Sequence, residues 1–408
     1  ADKKTYTINT ASAQFSNQKI NLKQLDMTTG KTDIKLNGTL ENFLGYAFKN
    51  QELRGTFNMN SNQLLVSDFM TETQTTVNNK TTTTEAVKIP KLINVTLNAS
   101  ANSVVYDNLN LKNVSGKLLV RDEKVSLQNL KTSIFGGVIT ATGDVSTKTA
   151  TPTFNMNLGL NTVDIQQAFT QLEMLKNIAP IAGVINGKLN STIKLSGNLD
   201  AKEMTPDLKT LSGDLLGQLL STTINASNSE MLSALSSNVK FIDLKKLNLN
   251  DLKANLTFDN GRVNVKPFDL KYQDIKVNIG GSHGFDQSMN YNVKFDVPAK
   301  YLGSEVNNLL AKLSPAEANK LDKIPVNAVL TGNFKNPKVS TDMKSAVTNL
   351  ANQLVQQQKD KLVNQGTKAL ENLINNNTKK DTTKTQSKKE ETKEKVTNAI
   401  KDIFGKKK

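Results

Sequence analysis

Alternation with a period of two, carried by three ordered blocks, is the feature that most limits the folds open to this chain. Residues 12–42 read SAQFSNQKINLKQLDMTTGKTDIKLNGTLEN, residues 117–146 KLLVRDEKVSLQNLKTSIFGGVITATGDVS, and residues 255–286 NLTFDNGRVNVKPFDLKYQDIKVNIGGSHGFD. Each block gives a short strand, a polar turn, an alternating strand, a second turn, another strand and a Gly turn. Ile20 and Leu22, Ile34 and Leu36, Val125 and Leu127, Val263 and Val265 alternate with polar residues, as do Ile275, Val277 and Ile279. The segments after the blocks match one another too: 54–69, 151–169 and 288–306 each read as a strand running into a helical start. Val293 and Phe295 alternate in the last of these, and Thr-Phe-Asn-Met-Asn stands at both 56–60 and 153–157.

Side chains of a strand alternate between two faces, so this pattern predicts sheets with one apolar face and one face of Lys, Asn and Thr. The expected fold is mainly β: an elongated, antiparallel, repeating sheet with a few short helices and a helical C-terminal segment. Residues 1–340 form the repeating part, with repeats near 5–69, 104–177 and 247–322. Residues 341–375 read as an amphipathic helix and 376–408 as a Lys-rich tail. Helical spacing appears over Val163–Asn177, Asp207–Leu220, Leu302–Leu321 and Met343–Ile374, and Thr71–Thr84 reads as a polar loop.

An apolar sheet face must be covered. A second sheet packed against it would make a β-sandwich. Alternatively, a curved sheet forms a groove filled by a nonprotein apolar ligand such as lipid acyl chains, each buried methylene stabilising by about 0.8 kcal/mol. The alternation alone leaves both open.

Composition narrows the chemistry. The chain has one His and no Cys, which removes disulfides, thiolate nucleophiles and Cys-ligated zinc. No His-x-x-x-His spacing supports a metal site and no Gly-x-Ser-x-Gly elbow supports a triad, so no catalytic residues, metal or cofactor are assigned. The absence of Trp leaves no obvious sugar platform. The net charge of +15 is uneven, with eleven Lys against five acids in residues 376–408. The rest is dispersed as single Lys residues, without the focused patch and stacking aromatics that nucleic acid requires. No apolar run is long enough to span a membrane. The opening Ala1, with no signal peptide, places any N-terminal anchor outside this sequence. The tail reads as a solvated end, its competing role being contact with an anionic membrane surface.

The single histidine lies in Gly280-Gly281-Ser282-His283-Gly284. A phosphate-cradling loop would need a following helix, and a strand comes next instead. Aligning His283-Gly284 with Asn37-Gly38 and Thr142-Gly143 makes His283 a half-exposed turn residue.

The stretch VNVKPFDLKYQDIKVNIGGSHGFDQSMNYNVKFDVPAKYLG (263–303) closely resembles the C-terminal region of AsmA-like proteins, particularly those of Bacteroidetes. The features that carry the resemblance are the apolar strand, the Gly-Gly turn, Gly-Phe-Asp-Gln, and VPAKYLG leading into a helix. The earlier repeats and LTGNFKNPKVS (330–340) fit the same family, so the resemblance covers most of residues 1–340. It implies a U-shaped β-groove shared with TamB, YhdP and the bridge-like lipid transfer proteins. It further implies a periplasmic protein tethered to the inner membrane by an N-terminal segment, passing phospholipids toward the outer membrane. On this expectation Ile20, Leu22, Ile34, Leu36, Val125, Leu127, Val263, Val265, Ile275, Val277, Ile279, Val293 and Phe295 line the groove. The competing expectation is an assembly factor that binds outer-membrane protein machinery through its strand edges.

Overall fold

The computed structural model describes residues 5–69, 86–311 and 323–377. The chain is mainly β, and the described residues contribute seventeen strands to one open, mostly antiparallel sheet. The first four are β1 (Tyr6–Phe15), β2 (Lys19–Thr29), β3 (Thr32–Glu41) and β4 (Leu53–Leu65), with helix α1 (Phe43–Lys49) between the last two. Then come β5 (Ile93–Tyr106), β6 (Leu109–Arg121), β7 (Lys124–Ile134), β8 (Gly137–Ser146) and β9 (Thr153–Asp164). Helices α2 (Ile165–Gln171) and α3 (Glu173–Ile178) lead through a 3-10 turn at Pro180–Val184 to β10 (Ile185–Asn198) and β11 (Ser212–Ile224). Helix α4 (Glu230–Asn238) precedes β12 (Lys253–Asp259), β13 (Arg262–Tyr272), β14 (Ile275–Gly284) and β15 (Ser288–Pro298). The described chain ends with α5 (Ser304–Leu310), β16 (Lys323–Asn333), β17 (Asn336–Thr341) and α6 (Met343–Asn377).

The three sequence blocks fall on β1–β3, β6–β8 and β12–β14, and each is followed by a strand that runs into a helical turn. Their hairpins are tight. Asp122-Glu123, Phe135-Gly136 and Asn260-Gly261 all have positive φ at both residues. That geometry matches the right-handed twist of the flanking strands. Thr71–Thr84 and most of the tail lie outside the described residues, as does the end of Leu302–Leu321.

Register shifts at equivalent places modify the alternation. β2 slips between Leu22 and Leu25 as it pairs with β3, and β7 slips between Leu127 and Leu130 as it pairs with β8. A bulge puts an extra residue in one strand, so Leu25 and Leu130 return to the apolar face.

Pairing places one row of residues across thirteen strands. It runs Ala13, Leu22, Gly38, Phe57, Leu97, Leu118. It continues Leu127, Gly143, Met156, Leu195, Gly213, Phe258, Val263. Glycines recur in the row because the backbone of the adjacent strand occupies the space a Cβ would take. A Cβ on Gly38 (φ +153°) would strike the backbone of Thr56 and Phe57, and one on Gly213 (φ +152°) the carbonyl of Lys194. Gly38→Ala is expected to cost about 1–3 kcal/mol. Gly183→Ala, where a Cβ meets only the Thr170 methyl at 3.7 Å, stays within about 0.5 kcal/mol of wild type. Urea unfolding of both variants checks the contrast.

Two features depart from the expected meander. β4 and β5 pair in parallel, from Leu53 beside Ile93 to Leu65 beside Val105. The connection through 66–92 is long enough to return the chain to the starting end of the strand. The parallel register stacks like on like: the Asn98 amide donates to Asn58 at 3.0 Å and Asn102 donates to Asn62 at 3.0 Å, and the antiparallel β3–β4 pair extends the ladder as Asn58 donates to Asn37 at 3.1 Å. Secondly, Asp207–Leu220 is a 3-10 turn at Leu208–Thr210 followed by β11, not a helix. Gly213 and Gly217 would each weaken a helix by about 1 kcal/mol. As a strand, the segment instead gains ladders to both β10 and β12.

The described chain divides into two compact units. The larger holds β1–β13 with 278–293 and 329–339. Its core is built where Ile165, Ala168 and Phe169 of α2, and Leu175 and Ile178 of α3, meet Ile193, Leu195, Leu215, Phe258 and Val263 of the sheet. The spacing of the buried α2 residues puts them on one helical face. Asp164 caps the helix, accepting from the Gln167 amide at 2.9 Å. The smaller unit includes 273–277, 294–328 and the chain from 340. Val326, Ala328, Leu350 and Leu354 are buried within it, and Asp342 at the start of α6 accepts from the Asn327 amide at 2.7 Å.

Candidate functional site

The register brings many of the expected lining residues onto one face. Leu22, Leu127 and Val263 share the row that crosses thirteen strands. Ile20 and Val125 stand in the adjacent row, which passes through Leu40, Gly55, Val95 and Val120. Leu36 faces Leu25 and Met59 on the other side. Val265 faces Leu256.

Covering of that face divides it in two. Along β7–β13 the helical insert 165–184 fills the apolar side, and Ile193 and Val263 have no exposed surface. Ile275, Val277, Val293 and Phe295 are buried too, at 3% exposure or less, while Ile279, Val125, Leu127 and Val265 are half-buried. Along β1–β6 the same face carries no covering helix among the described residues. Ile20, Leu22, Ile34, Leu36, Leu97 and Leu118 are all half-buried there, and Ile8 is 61% exposed. The buried members are closed to solvent, whereas all four first-block members, with Val125, Leu127, Val265 and Ile279 of the later blocks, stay partly open.

The opposite face of this region is polar. Asp33, Lys35, Asn60, Asn62, Ser100 and Asn102 contribute to a recess of about 470 Å³. Asp33 accepts from the backbone amides of Asn62 at 3.0 Å and Gln63 at 2.7 Å, so its carboxylate ties β3 to β4. The site candidate is the apolar side, where these groups are absent.

His283 is not a half-exposed turn residue. It lies within β14, only 2% exposed. The glycine comparable to Gly38 is Gly281, with φ of +155° and a Cβ position that would fall 2.6 Å from the Cα of Tyr291. Shifting the alignment accordingly sets His283 level with Leu40 and Val145, both on the apolar face. Its Nδ1 lies 2.8 Å from the Tyr291 hydroxyl, and Phe334 meets the ring edge-on at 5.4 Å. Nε2 is buried without a partner of hydrogen-bond geometry. Burial pushes the imidazole down to about 4, against a smaller opposing pull from the backbone of Asn177 and Ile178. Burial also raises the Tyr291 hydroxyl. The ring is thus a neutral core group hydrogen-bonded to a phenol, with no carboxylate bonded to it among the described residues.

The Ala-Lys-Tyr of VPAKYLG has a structural task. Tyr301 donates to Asp274 at 2.8 Å, and Lys300 pairs with the same carboxylate at 2.5 Å. Lys300 first and Tyr301 second hold that carboxyl below its ordinary range.

Sequence reasoning missed two features of this face: the depth to which 165–184 fills it, and helix α1. The first was signalled by the three-to-four spacing of Ile165, Ala168 and Phe169. No family model, no curated protein and no solved structure matches this chain.

Proposed function

We propose that the chain is a noncatalytic lipid-transfer protein of the bacterial envelope, its apolar sheet face receiving phospholipid acyl chains. The observation that carries this reading is the partly open apolar face of β1–β6, continuous by register and uncovered among the described residues. Six strands at about 4.8 Å spacing give about 24 Å of apolar strip. Each methylene withdrawn from water there contributes about 0.8 kcal/mol. The polar opposite face keeps such a sheet soluble on one side while the other takes lipid. The resemblance to AsmA-like proteins supports the same reading and adds a periplasmic location and an inner-membrane tether. Phospholipid is the partner, and nucleic acid has no part in it.

Lipid extraction after gentle purification is expected to yield copurifying phospholipid. Photo-crosslinking side chains placed at Leu22 and Leu36 should capture lipid, and the same side chains at Asn37 and Asn58 should not. Repeated absence of lipid would reject the proposal. Capture of protein at Leu22 and Leu36 would instead favour assembly through strand contacts.

A further inference from the structure

Helix α1 is built inside out. In a surface helix the apolar residues ordinarily face the protein and the polar ones face water. Here the buried residue is Gly45, set against the polar Asn42 and Gln51, and Phe43 alone of the large apolar side chains is half-buried. A Cβ at Gly45 would strike the side chains of Asn42 and Gln51. The other large apolar side chains are exposed: Leu44 at 41%, Tyr46 at 38% and Phe48 at 79%. Leu44 and Phe48 are four residues apart and form one ridge.

The helix is held firmly in this orientation. Both caps, Asn42 and Asn50, sit in the left-handed region. The Asn42 amide side chain donates to the Glu52 carbonyl at 2.9 Å, and the Gln51 amide donates to the Gly45 carbonyl at 3.1 Å. The outward ridge is therefore a fixed presentation rather than a frayed end.

Phe15 joins it at the same end of the strands. It pairs with Ile20, which pairs with Leu40 just before α1, and it is 73% exposed. Around these apolar tips the acids are matched: Glu41 pairs with Lys19 at 3.2 Å and Glu52 with Arg54 at 2.9 Å. Lys49 and Lys91 are exposed at this end too, leaving the rim positive.

We propose that α1, with Phe15 beside it, is a membrane-contact tip that seats Leu44, Tyr46 and Phe48 in the interfacial layer of an anionic phospholipid bilayer. Apolar and aromatic side chains ringed by lysines are the chemistry of interfacial anchoring. A protein partner fits less well. Four exposed side chains fall far short of the roughly 800 Å² per partner that a stable interface buries, whereas a bilayer needs no matching surface. The inference does not depend on lipid carriage along β1–β6, because a protein can dock on a membrane without extracting lipid.

The test uses the full chain with vesicles of phosphatidylcholine alone or mixed with phosphatidylglycerol. The chain has no Trp, so Phe48→Trp supplies a single reporter. Its emission should shift to the blue when mixed vesicles are added. In flotation, the double variant Leu44→Ser, Phe48→Ser should bind mixed vesicles at least about tenfold more weakly than wild type. Unchanged flotation of the double variant would overturn the proposal, since another part of the chain would then carry binding. So would an emission that ignores vesicles, or one already blue-shifted in their absence through self-association. Copurifying lipid without vesicle docking would refute this inference while leaving the transfer reading intact.

Discussion

Phe258→Ala is expected to lower the unfolding free energy by about 3–5 kcal/mol, whereas Leu36→Ala is expected to cost about 1 kcal/mol. Both side chains belong to the same apolar face, in neighbouring rows, and their chemistry is similar. What separates them is cover. Phe258 is 3% exposed, packed in the core that the helical insert completes. Truncating it removes buried surface and leaves a cavity that α2 and α3, fixed by their own contacts, fill only in part. Leu36 is half-buried between Leu25 and Met59, so water already reaches the site and no closed void results. Segment-resolved hydrogen exchange is the suitable measurement, because repeating sheets need not unfold in one step. Equal losses at the two positions would show that β1–β6 is packed as tightly as the insert region, and the open-strip reading would fall with it.

Acid should destabilise the chain through His283, by about 3 kcal/mol between pH 6.5 and pH 4. An unfolded imidazole takes up its proton near 6.5, and burial lowers the folded value to about 4. Above pH 6.5 both states are neutral and folding carries no penalty. As the pH falls below 6.5 the unfolded chain binds a proton that the folded chain refuses, so stability declines by about 1.4 kcal/mol per pH unit. Below about 4 the folded state protonates as well and the decline ends. Arg262 opposes protonation, and the Asn177 and Ile178 backbone favours it to a lesser extent than burial disfavours it. The pair His283→Leu, Tyr291→Phe removes both the imidazole and the phenol it would leave unpaired. Leu suits the position because Leu40 occupies the corresponding place in the first block. Carboxylates with lowered values, such as Asp274 and Asp286, add their own acid sensitivity to both proteins. The difference between the two stability–pH curves isolates His283, and parallel curves would contradict its burial as a neutral group.

Much of the architecture was legible because the alternation is physical bookkeeping of two faces. Val125 and Leu127 could only share a side, and their block counterparts Ile20 and Leu22 share it with them. The bulges were not legible, since Leu22-Lys23-Gln24-Leu25 reads as a break in period rather than as one residue too many. That same uncertainty misplaced His283: aligning on Gly284 put it in a turn, and aligning on Gly281 puts it in the core. Asp207–Leu220 misled because leucines at helical spacing satisfy a strand equally well when only Leu211 and Leu215 need burial and Leu216 faces water. Helix α1 escaped notice because seven residues give too little periodicity to register, and its apolar side faces the wrong way for a core helix.

The parallel seam between β4 and β5 sets an order of assembly. Every other registered pair among β1–β13 joins antiparallel strands that succeed one another in sequence, several across two-residue turns. The hairpins across two-residue turns, as in the first block (β2–β3) and the second (β6–β7 and β7–β8), close within microseconds. The β4–β5 seam forms only after the connection 66–92 has brought its ends together, at a loop-closure cost that no short turn imposes. The first block and the second can therefore zip up separately, with the amide ladder of Asn58 and Asn98 closing between two sheets that are already formed.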